Sequence, residues 1–224
     1  MENIIFIAPP ATGKSTQSKM LVEKYHYNHI STGNLLRKEM SKSTLLANEI
    51  KRVIDSGNLI SDEIVSDLLI KELEKIKGPF ILDGYPRNIN QAHQLEVMLN
   101  KLNLNIGHVI YIDIKLNEAI KRVKGRLTCL QCNKVYNTHN NAMKPRHDNI
   151  CDDCLIQLTV RPDDNEEAYK IRYDIFMKES KPLIDYYNEK KLLKVIKEPL
   201  YPEEAFARIE KIILWLKQKK KSRK

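Results

Sequence analysis

Residues 8 to 17, Ala-Pro-Pro-Ala-Thr-Gly-Lys-Ser-Thr-Gln, follow the apolar run Ile4 to Ile7 and precede a helix-like segment. That order describes a phosphate-binding loop. A strand delivers the chain to a tight turn, backbone N–H groups wrap phosphate oxygens, and the following helix offers its positive end while Lys14 supplies a mobile point charge. Against the generic pattern G-x-x-x-x-G-K-[ST], Gly13, Lys14 and Ser15 fit, and Ala8 stands where the first glycine belongs. The cradle is expected to consist of Ala11, Thr12, Gly13, Lys14, Ser15 and Thr16.

The cysteines form a second constellation: Cys129-x-x-Cys132 and, after eighteen residues, Cys151-x-x-Cys154, with no other cysteine in the chain. Two such knuckles suit one tetrahedral thiolate site for Zn²⁺. Disulfides are the alternative, disfavoured in a reducing cytoplasm, and redox chemistry is another, usually served by one motif at a helix start. Four sulfurs leave no open coordination position, so the metal would be structural. His139 and His147, between the knuckles, are expected at the surface. A third signal is Phe80-Ile81-Leu82-Asp83-Gly84-Tyr85-Pro86-Arg87, an apolar strand ending in the kind of carboxylate that orients hydrated Mg²⁺ beside a phosphate loop.

Together these segments resemble adenylate kinase, specifically the long-lid bacterial type with a zinc ribbon, over nearly the whole chain. The family loop, roughly G-x-P-G-x-G-K-G-T-Q, is matched at Pro10, Gly13, Lys14, Thr16 and Gln17, with Ala8, Ala11 and Ser15 replacing glycines. Should Ala11 need positive φ, the left-handed conformation costs it roughly 1–2 kcal/mol. Ser31-Thr32-Gly33-Asn34-Leu35-Leu36-Arg37 resembles S-T-G-D-M-L-R, which implies that Thr32 and Arg37 bind AMP; read alone, they are a helix cap and a solvated arginine. Asn34 departs from the family aspartate that helps hold the magnesium water shell, so weaker metal affinity is expected. Gly57 to Asp62 resembles G-x-L-V-x-D, which implies that Asn58, Leu59 and Ile60 line the AMP base. The same resemblance assigns Asp83 to magnesium through water, and Gly84, Tyr85, Pro86, Arg87 and Gln91 to AMP. The Gln91 amide would read adenine's edge, the alternative being plain surface polarity.

Arg122-Val-Lys-Gly-Arg126 resembles R-x-x-G-R before the lid, and Arg161-Pro-Asp-Asp-Asn-Glu-Glu resembles the return after it. Phosphoryl transfer leaves the protein little covalent work, so positioning and charge neutralisation carry catalysis. The catalytic set implied is Lys14, Arg87, Arg126, Arg161 and Arg172. Arg161 and Arg172 also touch AMP, and Arg122, Arg126, Val135, Tyr136 and Leu200 touch ATP.

These residues need a scaffold. The apolar runs Ile4 to Ile7, Phe80 to Leu82, Val109 to Ile114 and Leu192 to Ile196 alternate with amphipathic helical patterns, which is the sequence of a parallel sheet flanked by helices. By resemblance this is the phosphate-loop nucleoside monophosphate kinase fold. It divides into a core domain (1–30, 61–124 and 163–224), a helical AMP-binding insertion (31–60) and a small zinc-ribbon lid (125–162). The last helix is expected from Pro202 to about Trp215, whose indole should pack in the core.

At 224 residues and 42% hydrophobic content the chain reads as one globular core with insertions, and no apolar run nears the ~20 residues of a membrane span. Of the formal +9, six charges (Lys217, Lys219, Lys220, Lys221, Arg223 and Lys224) sit in the tail, leaving +3, so the tail reads as a frayed, solvated end rather than a nucleic-acid arm. The expectation is a cytoplasmic, monomeric enzyme that transfers the terminal phosphoryl group of ATP to AMP, giving two ADP, with Mg²⁺ and structural Zn²⁺. One rival is a kinase for another nucleoside monophosphate. The other is a zinc-ribbon nucleic-acid-binding NTPase, against which stands the scarcity of aromatics in the ribbon: Tyr136 alone between Cys129 and Cys154.

Overall fold

The computed structural model describes residues 1–55, 60–160, 164–197 and 201–221, without the side chains of 54–55 and 215–221. Strands β1 (Ile4–Ile7), β2 (Asn28–Ser31), β3 (Phe80–Asp83), β4 (His108–Asp113) and β7 (Leu193–Lys197) form one sheet in the order β2-β3-β1-β4-β7. All four neighbouring pairs are parallel. Four of these strands are the apolar runs of the sequence. Strand β2 is not, because it is an edge strand in which only Ile30 is buried and polar residues surround it.

Side chains alternate across the sheet, so β1 serves both faces. Ile5 and Ile7 pack with Leu82 and Val109 against Leu69 of α4 (Asp62–Leu73), Leu95 of α5 (Ile89–Lys101) and Leu183 of α7 (Glu166–Glu189). Ile4 and Phe6 pack with Ile81, Ile110 and Ile196 against Leu21 of α1 (Lys14–Tyr25) and Phe206 and Ile209 of α8 (Pro202–Lys221). Burial on both faces explains why the strands read as continuous apolar runs, and each fully buried isoleucine contributes about 1.5–3 kcal/mol.

Two segments leave this core. After Ser31 the chain forms α2 (Thr32–Met40) and α3 (Leu45–Asp55), and it rejoins at α4, where the Ser61 hydroxyl accepts from the Ile64 N–H at 3.4 Å. After α6 (Leu116–Lys124), β5 (Arg126–Thr128) and β6 (Val135–Asn137) make an antiparallel pair. A bridge from Thr128 to Thr159 closes that excursion before Asn165 caps α7. Helix α8 continues to Lys221, beyond the end at Trp215 and into the stretch expected to fray, because leucine, lysine and glutamine all favour helix. The side chain of Trp215 lies outside the described residues. Among the described residues no helix is long and apolar enough to cross a membrane.

Strand β1 has β3 on one side and β4 on the other, which puts a crevice at the carboxyl ends of the strands where the order reverses. Open α/β sheets bind ligands there. The loop after β1 and the carboxylate ending β3 meet in that crevice, with Phe6 in register with Asp83.

Candidate active site

Gly13 caps α1 at φ 91, and Ala11 takes φ 59. Glycine adopts this region freely, whereas Ala11 carries the left-handed penalty of about 1–2 kcal/mol. The loop is held from two sides: the Thr12 hydroxyl donates to the Pro9 carbonyl at 3.0 Å, and the Tyr169 hydroxyl of α7 donates to the Pro10 carbonyl at 2.9 Å. Lys14 Nζ donates to the Ala8 and Pro9 carbonyls, both at 2.9 Å. Its pKa is lowered to about 8, chiefly by burial; Asp83 opposes this, while Arg87, Arg126 and Arg172 push the same way. A lysine whose charge is disfavoured by three arginines marks a place built for a polyanion.

Asp83 Oδ2 accepts from the Ser15 hydroxyl at 3.0 Å and lies 3.3 Å from His29 Nε2. Burial alone would raise this carboxyl, but His29, Lys14 and Ser15 together outweigh it and keep its pKa below the usual value. An ionised carboxylate beside a phosphate loop and next to a serine hydroxyl fits a hydrated Mg²⁺, which is bound through its waters and a few oxygens. Sequence reasoning missed His29 because β2 itself was missed; recognising that strand would have put its residues beside β3.

The Thr32 hydroxyl donates to the Gly84 carbonyl at 3.0 Å, so it does not act as the helix cap. Gly84 sits at φ 87, and a Cβ there would lie 2.8 Å from Thr32 Oγ1, so both backbone angle and space call for glycine. Arg87 Nε donates to the same carbonyl at 3.0 Å. Arg37 Nη2 bonds Asn34 Oδ1, so Asn34 is turned toward the arginine. Gln91 is 6% exposed, which removes the surface reading. Its Oε1 accepts from the Arg87 N–H at 2.7 Å and its Nε2 donates to Asp62 Oδ1 at 2.6 Å, so the amide ties Arg87 to α4. Arg126 forms a bidentate pair with the fully buried Asp164 carboxylate, Nε to Oδ2 at 2.7 Å and Nη2 to Oδ1. Arg122 Nε reaches Glu118 at 3.4 Å.

One cleft of about 1760 Å³ gathers the loop from Ala11 to Thr16 with Thr32, Arg37, Ile60, Asp83 to Arg87, Gln91, Arg122, Arg126, Val135 and Arg172. Single small-ligand sites run to roughly 300–1,000 Å³, so this one has room for two nucleotides. Tyr136 is the exception: its side chain is buried in the lid's own core with Leu127, Cys129, Cys151 and Leu158. Asn58, Leu59, Arg161 and Leu200 lie outside the described residues. His139 and His147 are exposed.

The four cysteine sulfurs lie within 4.8 Å of one another, and all four are free thiols. The knuckles are built alike. Asn133 N–H donates to Cys129 O and Leu155 N–H to Cys151 O, both at 3.0 Å, while Cys129 N–H reaches Lys134 O at 3.0 Å and Cys151 N–H reaches Ile156 O at 2.8 Å. Asn133 and Leu155 both take φ 57. Zn–S bonds of about 2.3 Å in a tetrahedron set sulfurs about 3.8 Å apart. Cys132 and Cys151 stand at 3.7 Å, too far for a disulfide and right for a shared Zn²⁺. The sulfurs share their protons unevenly: against its burial, the Cys151 thiol is brought down by the Tyr136 hydroxyl and the backbone N–H groups of Cys154 and Asp153, while burial pushes Cys132 up and the contact with Cys132 pushes Cys154 up.

The family model for adenylate kinase matches residues 6–192. An adenylate kinase of Archaeoglobus fulgidus is 41% identical over 193 residues, 85% of this chain and 88% of that protein. One from Fervidobacterium nodosum is 39% identical over the same shares. One from Lactobacillus delbrueckii subsp. bulgaricus is 38% identical over 216 residues, 95% of this chain and 99% of that protein.

Proposed function

The chain belongs to the adenylate kinase family, and from that premise we propose that it catalyses reversible transfer of the terminal phosphoryl group of ATP to AMP, giving two ADP. The observation that carries this reading is the convergence of Lys14, Arg87, Arg126 and Arg172 on one two-nucleotide cleft beside the ionised carboxylate of Asp83. Transfer between two polyanions needs cations on both and a means of excluding water; no general base is required, because the acceptor phosphate is already an anionic nucleophile.

Ala11 to Thr16 hold the donor phosphates, with Lys14 exchanging its two loop carbonyls for phosphate oxygens. Arg122, Arg126, Val135, Tyr136 and Leu200 complete the donor side. Thr32, Arg37, Asn58, Leu59, Ile60, Gly84 to Arg87 and Gln91 hold AMP, joined by Arg161 and Arg172. Gln91 acts on AMP through Arg87, whose N–H it fixes. Asp83 would hold Mg²⁺ through its waters, and the metal would supply charge neutralisation on the donor phosphates. Cys129, Cys132, Cys151 and Cys154 would hold Zn²⁺, which would tie the lid together. The segments 31–60 and 125–162 close over the ligands, keeping water from the phosphoryl group. Both sides of the cleft come from one chain, which supports a monomer, and four free thiols on one site suit the cytoplasm.

The test is reversibility. Incubated with Mg²⁺ and ADP alone, the protein should form ATP and AMP in equal amounts. AMP formed together with inorganic phosphate, and without ATP, would mark a nucleotide hydrolase instead.

A further inference from the structure

Tyr136 belongs to β6, yet its ring turns into the small core beneath the cysteines, where it is 2% exposed. We propose that Tyr136 is a positioning residue of the four-cysteine metal site, its hydroxyl donating a hydrogen bond to the Cys151 thiolate and pinning the second knuckle to the hairpin that carries the first. The proposal rests on the zinc reading given above.

The direction of the hydrogen bond follows from the donors present. The Asp152 N–H donates to the Tyr136 oxygen at 2.8 Å. That oxygen therefore acts as acceptor once, and its single proton remains to be placed. Cys151 Sγ lies 3.4 Å away. A metal-bound sulfur carries no proton to give, so the phenol must donate to it. One hydroxyl thus grips two consecutive residues of the second knuckle, the sulfur of Cys151 and the backbone of Asp152.

The rest of the surroundings hold the ring where it can do this. Strand β6 pairs with β5 in a register that sets Tyr136 opposite Leu127, two residues before Cys129. Lys134 Nζ stands 5.3 Å over the ring and reaches Asp153 at 3.0 Å, so a second link joins the two knuckles along the same side. The first knuckle joins the paired strands β5 and β6, whereas the second, beyond its own turn hydrogen bonds, is flanked by the isolated bridge between Ile150 and Gln157, so links to the hairpin matter more for it. Partners outside the ligand set orient ligands in this way, and removing one commonly weakens metal binding 10- to 100-fold.

The experiment compares the full-length protein with its Tyr136→Phe variant, which keeps the ring and loses only the hydroxyl. Zinc content is measured first, then transfer of zinc to a chromophoric chelator at fixed pH. The expected result is one zinc per chain in both and a 10- to 100-fold loss of zinc affinity in the variant. Zinc affinity within twofold of the parent would overturn the proposal. A parent protein that holds no zinc would overturn the zinc reading itself, a result visible before any variant is made. Should Tyr136→Phe not fold, the parent loaded with Co²⁺ still decides the matter. The phenolic proton should give a hyperfine-shifted resonance that vanishes in D₂O, and its absence would overturn the proposal.

Discussion

Replacing Gly84 with alanine perturbs the acceptor side of the cleft by a known geometry. The residue sits at φ 87, and the added methyl would stand 2.8 Å from Thr32 Oγ1. The left-handed backbone costs alanine about 1–2 kcal/mol. Displacing Thr32 forfeits its 3.0 Å hydrogen bond to the Gly84 carbonyl, about 0.5–1.5 kcal/mol more. Against this, the unfolded chain loses freedom worth about 0.4–1 kcal/mol. The net is a destabilisation of roughly 0.5–3 kcal/mol, and for a chain of this size a Tm lower by about 1–12 °C. The methyl would meet Arg87 Nη2 at an ordinary 3.7 Å, but Arg87 Nε holds the same carbonyl, so a shift of that carbonyl carries Arg87 with it. The AMP KM should then rise on the order of tenfold, equivalent to about 1.4 kcal/mol, with the ATP KM nearly unchanged. Calorimetry and steady-state rates at saturating ATP read both effects. In a Thr32→Ala background the clash is gone, so the added cost of Gly84→Ala should shrink toward the backbone penalty alone. Unchanged Tm and AMP KM, or equal rises in both KM values, would refute the reasoning.

Lys14, at a pKa of about 8 against its ordinary 10.5, binds fewer protons folded than unfolded between those values. Its contribution to the stability of the ligand-free protein should therefore increase with pH across that window, while kcat/KM for ATP falls above about pH 8. Lys14→Met should nearly abolish turnover and leave Tm close to the parent; a profile flat to pH 9.5 in the parent would contradict the assignment. His29→Ala removes one donor from Asp83, and about 1 kcal/mol of lost hydrogen bonding should raise the Mg²⁺ concentration for half-maximal activity several-fold, with His29→Gln partly restoring it. An unchanged Mg²⁺ titration would show that His29 does not orient the carboxylate. Leu155 combines φ 57 with 75% exposure, so Leu155→Gly should relieve strain with little loss of packing. The lid should gain about 0.5–1 kcal/mol, seen as slower proteolysis between the knuckles, and faster cleavage would argue against strain there.

What was legible in the sequence was the chemistry confined to contiguous spacing. Phosphate binding by backbone N–H groups needs a strand, a turn and a helix in immediate succession, and a thiolate knuckle needs two cysteines three apart, so both left a pattern. Continuous apolar strands likewise announced a sheet covered on both faces. Strand β2 left none, because an edge strand with one buried residue has no apolar run to detect. The pairing of Arg126 with Asp164 spans 38 residues and follows from the lid's return path, which spacing does not encode. The burial of the Tyr136 side chain was illegible for a related reason: alternation along β6 gives two faces, and only the packing of Leu127 and Leu158 decides which one is the interior. Ala11 is a case where the pattern warned correctly, since an alanine in a glycine position does adopt the left-handed backbone.

The central claim is that one cleft passes a phosphoryl group from ATP to AMP. Steady-state rates with ATP and, in turn, AMP, CMP, UMP and GMP test it most directly. The account predicts that AMP is strongly preferred and that two ADP form for each AMP consumed, without free phosphate. Equal or faster transfer to another nucleoside monophosphate, or ATP loss independent of any acceptor, would contradict it.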